Sequence, residues 1–421
     1  MLLRWVFAAA AFTAVVAGQR AARAHGAFPS PMALFTSPAA PSSVVVATNV
    51  GLFRSDDVGQ TWRWQCEDAV AGTTSTYGVA ADLQTTYALT ETSVAAARAE
   101  ECAFAPLASG AALPFDITPD AALPSRVWLL ESESSLATFD GVGGPLSVRR
   151  SRLTLPPASR LVSAYGAGAV VLATALADGT PGVLFDSSDG GETWRQRALP
   201  PSVQSFGPIV LAVGPEPGLM LLRLIGVDGD RIARSTDGGE TFQISAELPG
   251  FMRGFARDEQ GNLYVGLDDV STGRLVVLDV DDLKTTETLP LAFVPRGVAY
   301  QGGKLYILTN TFDPPGPLLV SEDGGHTFQS ALDTKRVTVA PSCAATTTCQ
   351  AACEGLVNFG LLAADACPWS SHQPPTVTPP PPPAKAASGC QLAPRAPAPG
   401  PLSLTIAALA FLWLRAIPRR S

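Results

Sequence analysis

Short apolar segments recur along most of this chain, and polar, glycine-containing stretches separate them at close intervals. Phe255–Arg257 and Leu263–Leu267 flank the turn-forming stretch Glu259–Asn262, and Val298–Tyr300 and Leu305–Leu308 flank a second such stretch. Pairs of short apolar runs around a turn are typical of β-hairpins. Long runs with a helical period are scarce, so the pattern predicts an all-β fold.

One polar turn pattern, S-x-D-x-G-x-T followed by an aromatic residue, occurs four times. The copies are Ser55–Trp62, Ser187–Trp194, Ser235–Phe242 and Ser321–Phe328. Each copy follows a short apolar strand, and its aromatic residue starts the next strand, so we expect hairpin turns. The acidic residues can accept hydrogen bonds from the turn's own N–H groups, and the glycines allow backbone angles that a Cβ resists. We therefore expect structural rather than catalytic roles for the four carboxylates, Asp57, Asp189, Asp237 and Asp323.

The spacing of these turns predicts the number of repeats. They begin at residues 55, 187, 235 and 321, so they are 132, 48 and 86 residues apart. These gaps fit three, one and two steps of about 44 residues, a period typical of propeller blades. Degenerate copies fill the missing steps at Ala97–Phe104, Thr138–Leu146 and Val277–Lys284. The prediction is a seven-bladed β-propeller within residues 25–340, whose later blades start near Tyr77, Asp116, Arg160, Gly207, Arg253 and Arg296.

The turn pattern resembles the Asp box, or BNR repeat, of sialidase-like β-propellers. That superfamily includes sialidases, sortilin-type receptors, photosystem assembly factors and some glycoside hydrolases. The resemblance implies the fold and leaves the function open. Sialidases carry an R-I-P motif ahead of the first box, and residues 25–50 contain no arginine. We therefore favour a non-catalytic module that binds a glycan or a protein, with a divergent sialidase-type glycoside hydrolase as the alternative.

A sialidase would also need a tyrosine nucleophile paired with a glutamate. No spacing singles out one of the four candidates, Tyr77, Tyr264, Tyr300 and Tyr306. No phosphate loop, Ser–His–Asp signature or histidine cluster is present either, so we expect neither a cofactor nor a metal. The net charge of -8 argues against a nucleic-acid partner.

Arginines at one repeated position suggest a ligand site. Arg160, Arg253 and Arg296 each stand at the start of a predicted innermost strand. Because those strands line the central channel, three guanidinium groups at one mouth could bind a carboxylate or phosphate. The alternative is that each arginine pairs with a nearby acid such as Asp116, Asp258 or Glu259.

The N-terminus predicts export. Arg4, the apolar run Trp5–Gly18 and Ala22–Ala24 have the order of a signal peptide over residues 1–24. A retained membrane anchor would need about 20 apolar residues, more than this segment has. Seven cysteines in an exported chain indicate an oxidising compartment.

The cysteines divide into two groups. Cys66 and Cys102 lie at the same end of neighbouring predicted blades, so we predict a disulfide between them, with two buried thiols as the alternative. Residues 341–371 should form a small cap with a short helix over Cys353–Leu362. Its four cysteines favour two disulfides of undetermined pairing over a zinc site; they are Cys343, Cys349, Cys353 and Cys367.

The remaining residues predict a tether. Residues 372–388 contain Pro374–Pro375 and Pro379–Pro383, which favour an extended polyproline linker. The segment 389–421 combines Gly389 and Cys390 with an apolar run, Leu402–Leu414, and a final group of arginines. It resembles the C-terminal sorting tag (MYXO-CTERM) of myxobacterial surface proteins. The resemblance implies a sorting protease, processing near Cys390 and display at the cell surface or outer envelope. A plain C-terminal membrane anchor is the alternative.

Overall fold

The computed structural model describes residues 30–367 except 67–73, 91–92, 100, 110–115, 121–122, 132–134, 142–146, 151–158, 164–169, 175–182, 188, 190, 205–206, 214–217, 270–271, 311–315, 341–342 and 344–346. The predicted signal peptide, linker and sorting segment, with Gly389 and Cys390, lie outside these residues. The described strands form seven sheets, numbered here in chain order, and each contains four consecutive antiparallel strands.

Sheets one to three come from the first part of the chain. Sheet one contains β1 (Pro31–Thr36), β2 (Val44–Thr48), β3 (Gly51–Ser55) and β4 (Trp62–Cys66). Sheet two contains β5 (Thr74–Val79), β6 (Thr85–Thr90), β7 (Ser93–Arg98) and β8 (Ala105–Ser109). Sheet three contains β9 (Asp116–Pro119), β10 (Arg126–Glu131), β11 (Ser135–Asp140) and β12 (Ser147–Arg150).

Sheets four to seven follow the same plan. Sheet four contains β13 (Ser159–Ser163), β14 (Val170–Thr174), β15 (Val183–Ser187) and β16 (Arg195–Ala198). Sheet five contains β17 (Gly207–Val213), β18 (Met220–Ile225), β19 (Arg231–Ser235) and β20 (Gln243–Ile244), preceded by the short helix α1 (Pro201–Gln204). Sheet six contains β21 (Phe251–Arg257), β22 (Asn262–Asp268), β23 (Gly273–Asp279) and β24 (Thr285–Leu291). Sheet seven contains β25 (Gly297–Gln301), β26 (Lys304–Leu308), β27 (Leu318–Ser321) and β28 (Gln329–Ser330).

The second strand of a sheet is the most deeply buried. All five residues of β2 are buried, and so are the five central residues of β22. The outer strand β24 is instead exposed at most of its positions. This gradient arises because both faces of each sheet pack on a neighbouring sheet while the fourth strand lies at the outer edge, where β24 meets solvent and β4 is covered by a later part of the chain. It explains why inner segments are continuous apolar runs rather than alternating ones.

The first strands pack against one another around the molecule. Contacts join β1 to β5, β5 to β9, β9 to β13, β13 to β17 and β21 to β25, and β25 contacts β1 again. Sheets five and six share a core that contains Leu221, Ile232 and Leu263. The first strands of sheets six and seven touch through their backbones, since a Cβ added to Gly254 would lie only 2.8 Å from Cα of Gly297. The first strands are therefore the inner strands of a closed series of sheets.

A C-terminal segment covers the seam between sheet seven and sheet one. After a 3-10 turn, Thr334–Arg336, the strand β29 (Val337–Val339) pairs in parallel with β4 and extends sheet one. The helix α2 (Thr347–Asn358) follows. It starts earlier than the predicted Cys353 and ends earlier than the predicted Leu362. The earlier end is explained by Gly360, whose left-handed backbone (φ 70°) terminates helices. No helix among the described residues is long and apolar enough to cross a bilayer.

The predicted Cys66–Cys102 disulfide is wrong. Cys66 bonds Cys349, Cys102 bonds Cys343, and a third bridge joins Cys353 to Cys367 within the C-terminal segment. The predicted pair of disulfides within residues 341–371 is therefore wrong as well, since Cys343 and Cys349 bond cysteines of the sheets. The sheet ends do meet as expected, because Gln65 Nε2 donates to the carbonyl of Glu101. At this meeting point the C-terminal segment contributes Cys349, which bonds a cysteine of sheet one, and Cys343, which bonds a cysteine of sheet two. The two bridges are neighbours: Sγ of Cys102 lies 3.8 Å from Sγ of Cys349.

These bridges belong to the largest mixed core of the molecule. One buried cluster joins Val46 and Trp64 of sheet one, Tyr306 and Leu318 of sheet seven, and the C-terminal segment. The Cys66–Cys349 bridge spans 283 residues and the Cys102–Cys343 bridge spans 241. Long spans of this kind restrict the unfolded chain strongly. The seam is thus held by strand pairing, apolar packing and covalent bonds together.

We expect non-reducing peptide mapping to recover Cys66 linked to Cys349 and Cys102 linked to Cys343. Replacing Cys102 and Cys343 by serine should lower the free energy of unfolding by about 4 kcal/mol, because the remaining Cys66–Cys349 bridge leaves a loop of about 42 residues for the unfolded chain to regain. The matched variant, Cys353→Ser with Cys367→Ser, removes a bridge of only 14 residues and should cost about 3 kcal/mol. A peptide containing Cys66 linked to Cys102 would contradict this arrangement.

Candidate functional site

The four S-x-D-x-G-x-T turns share one hydrogen-bond pattern. In each turn the serine hydroxyl donates to Oδ1 of the aspartate at 2.7–2.8 Å and accepts the glycine N–H at 2.7–2.8 Å. The threonine N–H donates to the same carboxylate at 2.8–3.0 Å. The side chains of Asp57, Asp189, Asp237 and Asp323 are therefore occupied within their own turns. They offer no free carboxylate pair for acid–base chemistry.

These hydrogen bonds favour the ionised carboxylate. The Thr193 hydroxyl and N–H, with the Ser187 hydroxyl, lower the pKa of Asp189 to about 2. The corresponding threonine and serine groups hold the pKa of Asp237 and Asp323 well below the usual range. For Asp57, burial raises the pKa, but the bonds from Thr61 outweigh it and the pKa is lowered. All four turns are thus charged at neutral pH.

The turns also connect neighbouring sheets. Each turn glycine has a positive φ and lies against an apolar side chain of the preceding sheet or its end. The pairs are Gly59 on Ala331, Gly191 on Trp128, Gly239 on Leu184 and Gly325 on Leu275. The residue before the threonine pairs with the outer strand of the preceding sheet. Three of the four turns show this pairing: Glu192 with Arg149, Glu240 with Arg197 (3.2 Å) and His326 with Glu287 (3.6 Å), where the turn supplies a histidine and the outer strand the acid.

Inner strands position the arginines that the sequence singled out. Arg296 directly precedes β25, Arg253 lies in β21, and Arg160 is the second residue of β13, where its side chain lies outside the described part of the structure. Arg253 and Arg296 each immediately precede the glycine at which their two strands touch. The structure therefore brings these two arginines to the same level of adjacent strands. We call the start of the inner strands of sheets six, seven and one the mouth.

Arg253 has an acidic partner other than the predicted ones. Its Nη2 lies 2.8 Å from Oδ2 of Asp268, at the end of the neighbouring strand β22. Asp258 follows the far end of β21, and its carboxylate accepts N–H groups of Gln260 and Asn262 instead. Arg253 is also the extra residue of a β-bulge, since the register with β22 shifts between Met252 and Gly254. Such bulges re-aim a side chain.

Arg296 is exposed, and none of the acids in the described residues lies within salt-bridge distance of it. Its N–H donates to the carbonyl of Leu308 at 2.7 Å, which fixes its backbone. The other arginines near the starts of sheets five and six all have partners. These pairs are Arg223–Asp230, Arg231–Glu247, Arg253–Asp268 and Arg274–Asp269. Arg296 is thus an exposed cation at this mouth whose charge is not neutralised by an acid of the described residues.

The sequence analysis missed the group that fixes the start of β21. Asp230 is fully buried, and its Oδ2 accepts Arg223 Nε at 2.8 Å and the N–H of Met252 at 2.7 Å. Its Oδ1 has no partner among the described residues. Asp230 follows a glycine in a hairpin turn, so its pattern does not differ from that of an ordinary turn residue. Through Met252 it holds the strand that carries Arg253.

Three of the four candidate tyrosines have a raised pKa. Tyr264 and Tyr300 stack with ring centroids 5.9 Å apart, and the Tyr264 hydroxyl lies 3.3 Å from Oδ2 of Asp258. Burial, with a further contribution from Asp258, raises the pKa of Tyr264 to about 12. Burial likewise raises the pKa of Tyr300 and Tyr306. Tyr77 is 6% exposed. Raised pKa values oppose the activation that a tyrosine nucleophile needs.

Known proteins resemble this chain in fold rather than in sequence. No protein-family model and no curated protein matches the chain. The hydrazine synthase of Kuenenia stuttgartiensis is similar in structure, at 12% identity and a TM-score of 0.54, over 72% of this chain and 98% of that one. The β-propeller domain of the Trilobed protease from Pyrococcus furiosus matches at 10% identity and a TM-score of 0.51, over 73% and 96%. A Niastella koreensis GH74 enzyme matches at 11% and 0.51, over 71% and 54%.

At these identities the likeness shows the fold alone: the chain is an all-β protein similar to β-propellers. Enzymes are among the similar structures, so the fold does not separate binding from catalysis. In the described residues, no cluster of three or more histidine, cysteine or acidic side chains is arranged to hold a metal ion. The arginines at the mouth and the four S-x-D-x-G-x-T turns are the features that bear on function.

Two glycine substitutions should separate the effect of a positive φ from the effect of close contact with a neighbouring sheet. Gly191→Ala must adopt φ 84° and place its Cβ 2.7 Å from the Trp128 ring, so we expect a loss of about 2–4 kcal/mol in unfolding free energy. Gly302 has φ 59° with nothing near the added Cβ, so Gly302→Ala should cost only about 1 kcal/mol. Chemical denaturation measures both. Equal losses would mean that the contact with the preceding sheet is unimportant.

The turn carboxylates should make stability depend on acid. Because the folded pKa of Asp189 lies below its ordinary value, its contribution is complete above pH 4 and disappears as pH falls towards about 2. Asp189→Asn should therefore destabilise the protein at pH 7 and differ much less from wild type near pH 2. Denaturation midpoints across this range test the expectation. A destabilisation independent of pH would show that the charge contributes nothing.

Proposed function

We propose that this chain is an exported, surface-anchored, seven-bladed Asp-box propeller that acts as a non-catalytic binding module for an anionic ligand. The observation that carries the proposal is Arg296: an exposed guanidinium without an acidic partner among the described residues, at the same level as Arg253 on the adjacent inner strand. Two guanidiniums side by side can bind one carboxylate or phosphate through several charge-assisted hydrogen bonds.

The charge distribution supports an anion rather than a cation. Although the whole chain carries a net charge of -8, Arg296 is an exposed cation with no acidic partner among the described residues. Arg253 keeps Asp268, whose side chain is only 15% exposed, and can share its remaining donors with a ligand. Arg296 would supply most of the charge. An acidic glycan or an acidic protein segment has suitable chemistry.

A role outside the cell agrees with the chemistry of the cysteines. The structure contains three disulfides among the described residues. Disulfides persist in oxidising compartments and are rare in reducing ones. The predicted signal peptide supplies export, and the segment with Gly389 and Cys390 supplies attachment by a sorting protease or as a membrane anchor. The proline-rich linker, residues 372–388, would act as a spacer between propeller and envelope.

The contacts of the turn carboxylates and of the described tyrosines support binding over catalysis. The turn carboxylates are tied to threonine and serine, and the described tyrosines with shifted pKa values are shifted upward. A sialidase-type hydrolase remains the opposing hypothesis because related folds include glycoside-hydrolase chemistry. It predicts turnover, whereas a binding module predicts retention of an intact ligand.

An array of acidic and neutral glycans, probed with the mature protein, tests the proposal. We expect binding to acidic members only, and at least a tenfold loss in Arg296→Ala because the main cation is removed. Arg336→Ala is the matched control, since Arg336 is a highly exposed arginine paired with Asp333 in the C-terminal segment. Binding that survives Arg296→Ala would contradict the site. Hydrolysis of a fluorogenic sialoside by wild type, lost in Arg296→Ala, would replace binding by catalysis.

A further inference from the structure

The inner strand of sheet one carries an apolar residue at about the same level as the arginines at the mouth. The N–H of Ser37, directly after β1, donates to Oε1 of Gln301, the last residue of β25, at 2.8 Å. The side-chain amide of Gln301 also donates to the carbonyl of Ala40 at 2.9 Å. These bonds tie the far ends of two adjacent inner strands. Counting back five residues from each end leads to Met32 and Arg296, so both lie at about the same level.

Met32 has an unusual environment for an apolar residue. It is 45% exposed, although it lies within an inner strand. The register between β1 and β2 shifts between Pro31 and Ala33, so Met32 is the extra residue of a β-bulge. A bulge takes a residue out of the ladder and turns its side chain away from the regular face. The fold thus presents the Met32 thioether at the surface of the mouth.

The bulges at Met32 and Arg253 give the mouth a mixed character. Sheets six, seven and one are consecutive, and their inner strands approach within 8 Å. At their starts they carry Arg253, Arg296 and Met32 in that order, and the first and the last are bulged residues. Two cations therefore stand next to one exposed, polarisable apolar side chain. An inorganic anion would use only part of this surface.

We propose that the mouth binds a carboxylate or phosphate that carries a short apolar chain, with Arg296 on the anionic group and Met32 on the chain. The proposal rests on the anion-binding function above and names the ligand class for that site. Methionine suits the second task because its flexible thioether adapts to ligands of different shape. Burial of the exposed side chain and of ligand methylenes would release water from both.

A series of linear carboxylates tests the assignment on the mature protein. Saturation-transfer NMR should show weak, Arg296-dependent binding of acetate and tighter binding of butanoate and hexanoate. Each methylene covered by Met32 should tighten binding about two- to fourfold. Hexanamide has the same chain without the charge and should not bind measurably. Hexyl phosphate should follow hexanoate, which separates the shared anion chemistry from one particular head group.

Three variants test whether Met32 contacts the apolar chain of the ligand. Met32→Gln should abolish the gain from chain length, measured as the ratio of hexanoate to acetate affinity, whereas Met32→Leu should keep most of that gain. Val227→Gln is the matched control, because Val227 is 92% exposed in the β18–β19 turn of sheet five. A loss of the length effect in that control would mean nonspecific apolar binding and would overturn the proposal.

Two failures can be told apart. If acetate binds through Arg296 but hexanoate binds no more tightly, the anion site stands and the apolar subsite is wrong. If neither acid binds, or if Arg296→Ala binds both as well as wild type, the anion-binding function itself is wrong. Vesicles with an anionic phospholipid, compared with soluble hexyl phosphate, show whether a lipid surface can supply the same head group. Binding to vesicles alone would contradict a site for a single short chain.

Discussion

The seam between the last and the first sheet is the constraint on which the molecule depends. Among the described residues, each of the seven sheets takes its four antiparallel strands from consecutive parts of the chain, and antiparallel pairing does not join sheet seven to sheet one. Closure instead relies on residues after sheet seven. β29 pairs in parallel with β4, and the Cys66–Cys349 and Cys102–Cys343 bridges fasten the same segment to sheets one and two. Gln301 adds hydrogen bonds between the inner strands. A covalent closure offsets the entropy that an open ring of sheets would regain.

This seam also builds the mouth. Arg296 belongs to the start of sheet seven and Met32 to sheet one, so they become neighbours only when the two sheets meet. The turns with aspartate lie at the end of their sheets opposite the mouth. Each forms hydrogen bonds with its own backbone and packs against the preceding sheet. Function and closure are thus linked through position: the ligand site that we propose lies across the junction that the C-terminal segment secures.

Local sequence information predicted much of this fold. The turn pattern depends on contacts within seven residues, so its hydrogen bonds and spacing can be read from the chain. Inner strands begin at Asp116, Ser159, Gly207 and Gly297, within one residue of the predicted blade starts. The disulfides failed because pairing depends on where a non-repeating segment returns. Arg253 pairs with Asp268 across a hairpin rather than with an acid closer in sequence. The bulge at Met32 has no sequence signature. These features depend on three-dimensional packing that periodicity does not encode.

Hydrogen exchange across the seam is the most direct test of this account. Cys66, Cys102, Cys343 and Cys349 would be replaced together by serine, and backbone amide protection would be compared with wild type under native conditions. The account predicts faster exchange in β1, β4, β25 and β29, with the strands of sheet five unchanged, because only the closing junction opens. Uniformly faster exchange in every sheet, or unchanged protection at the seam, would contradict the claim that the C-terminal segment holds the structure closed.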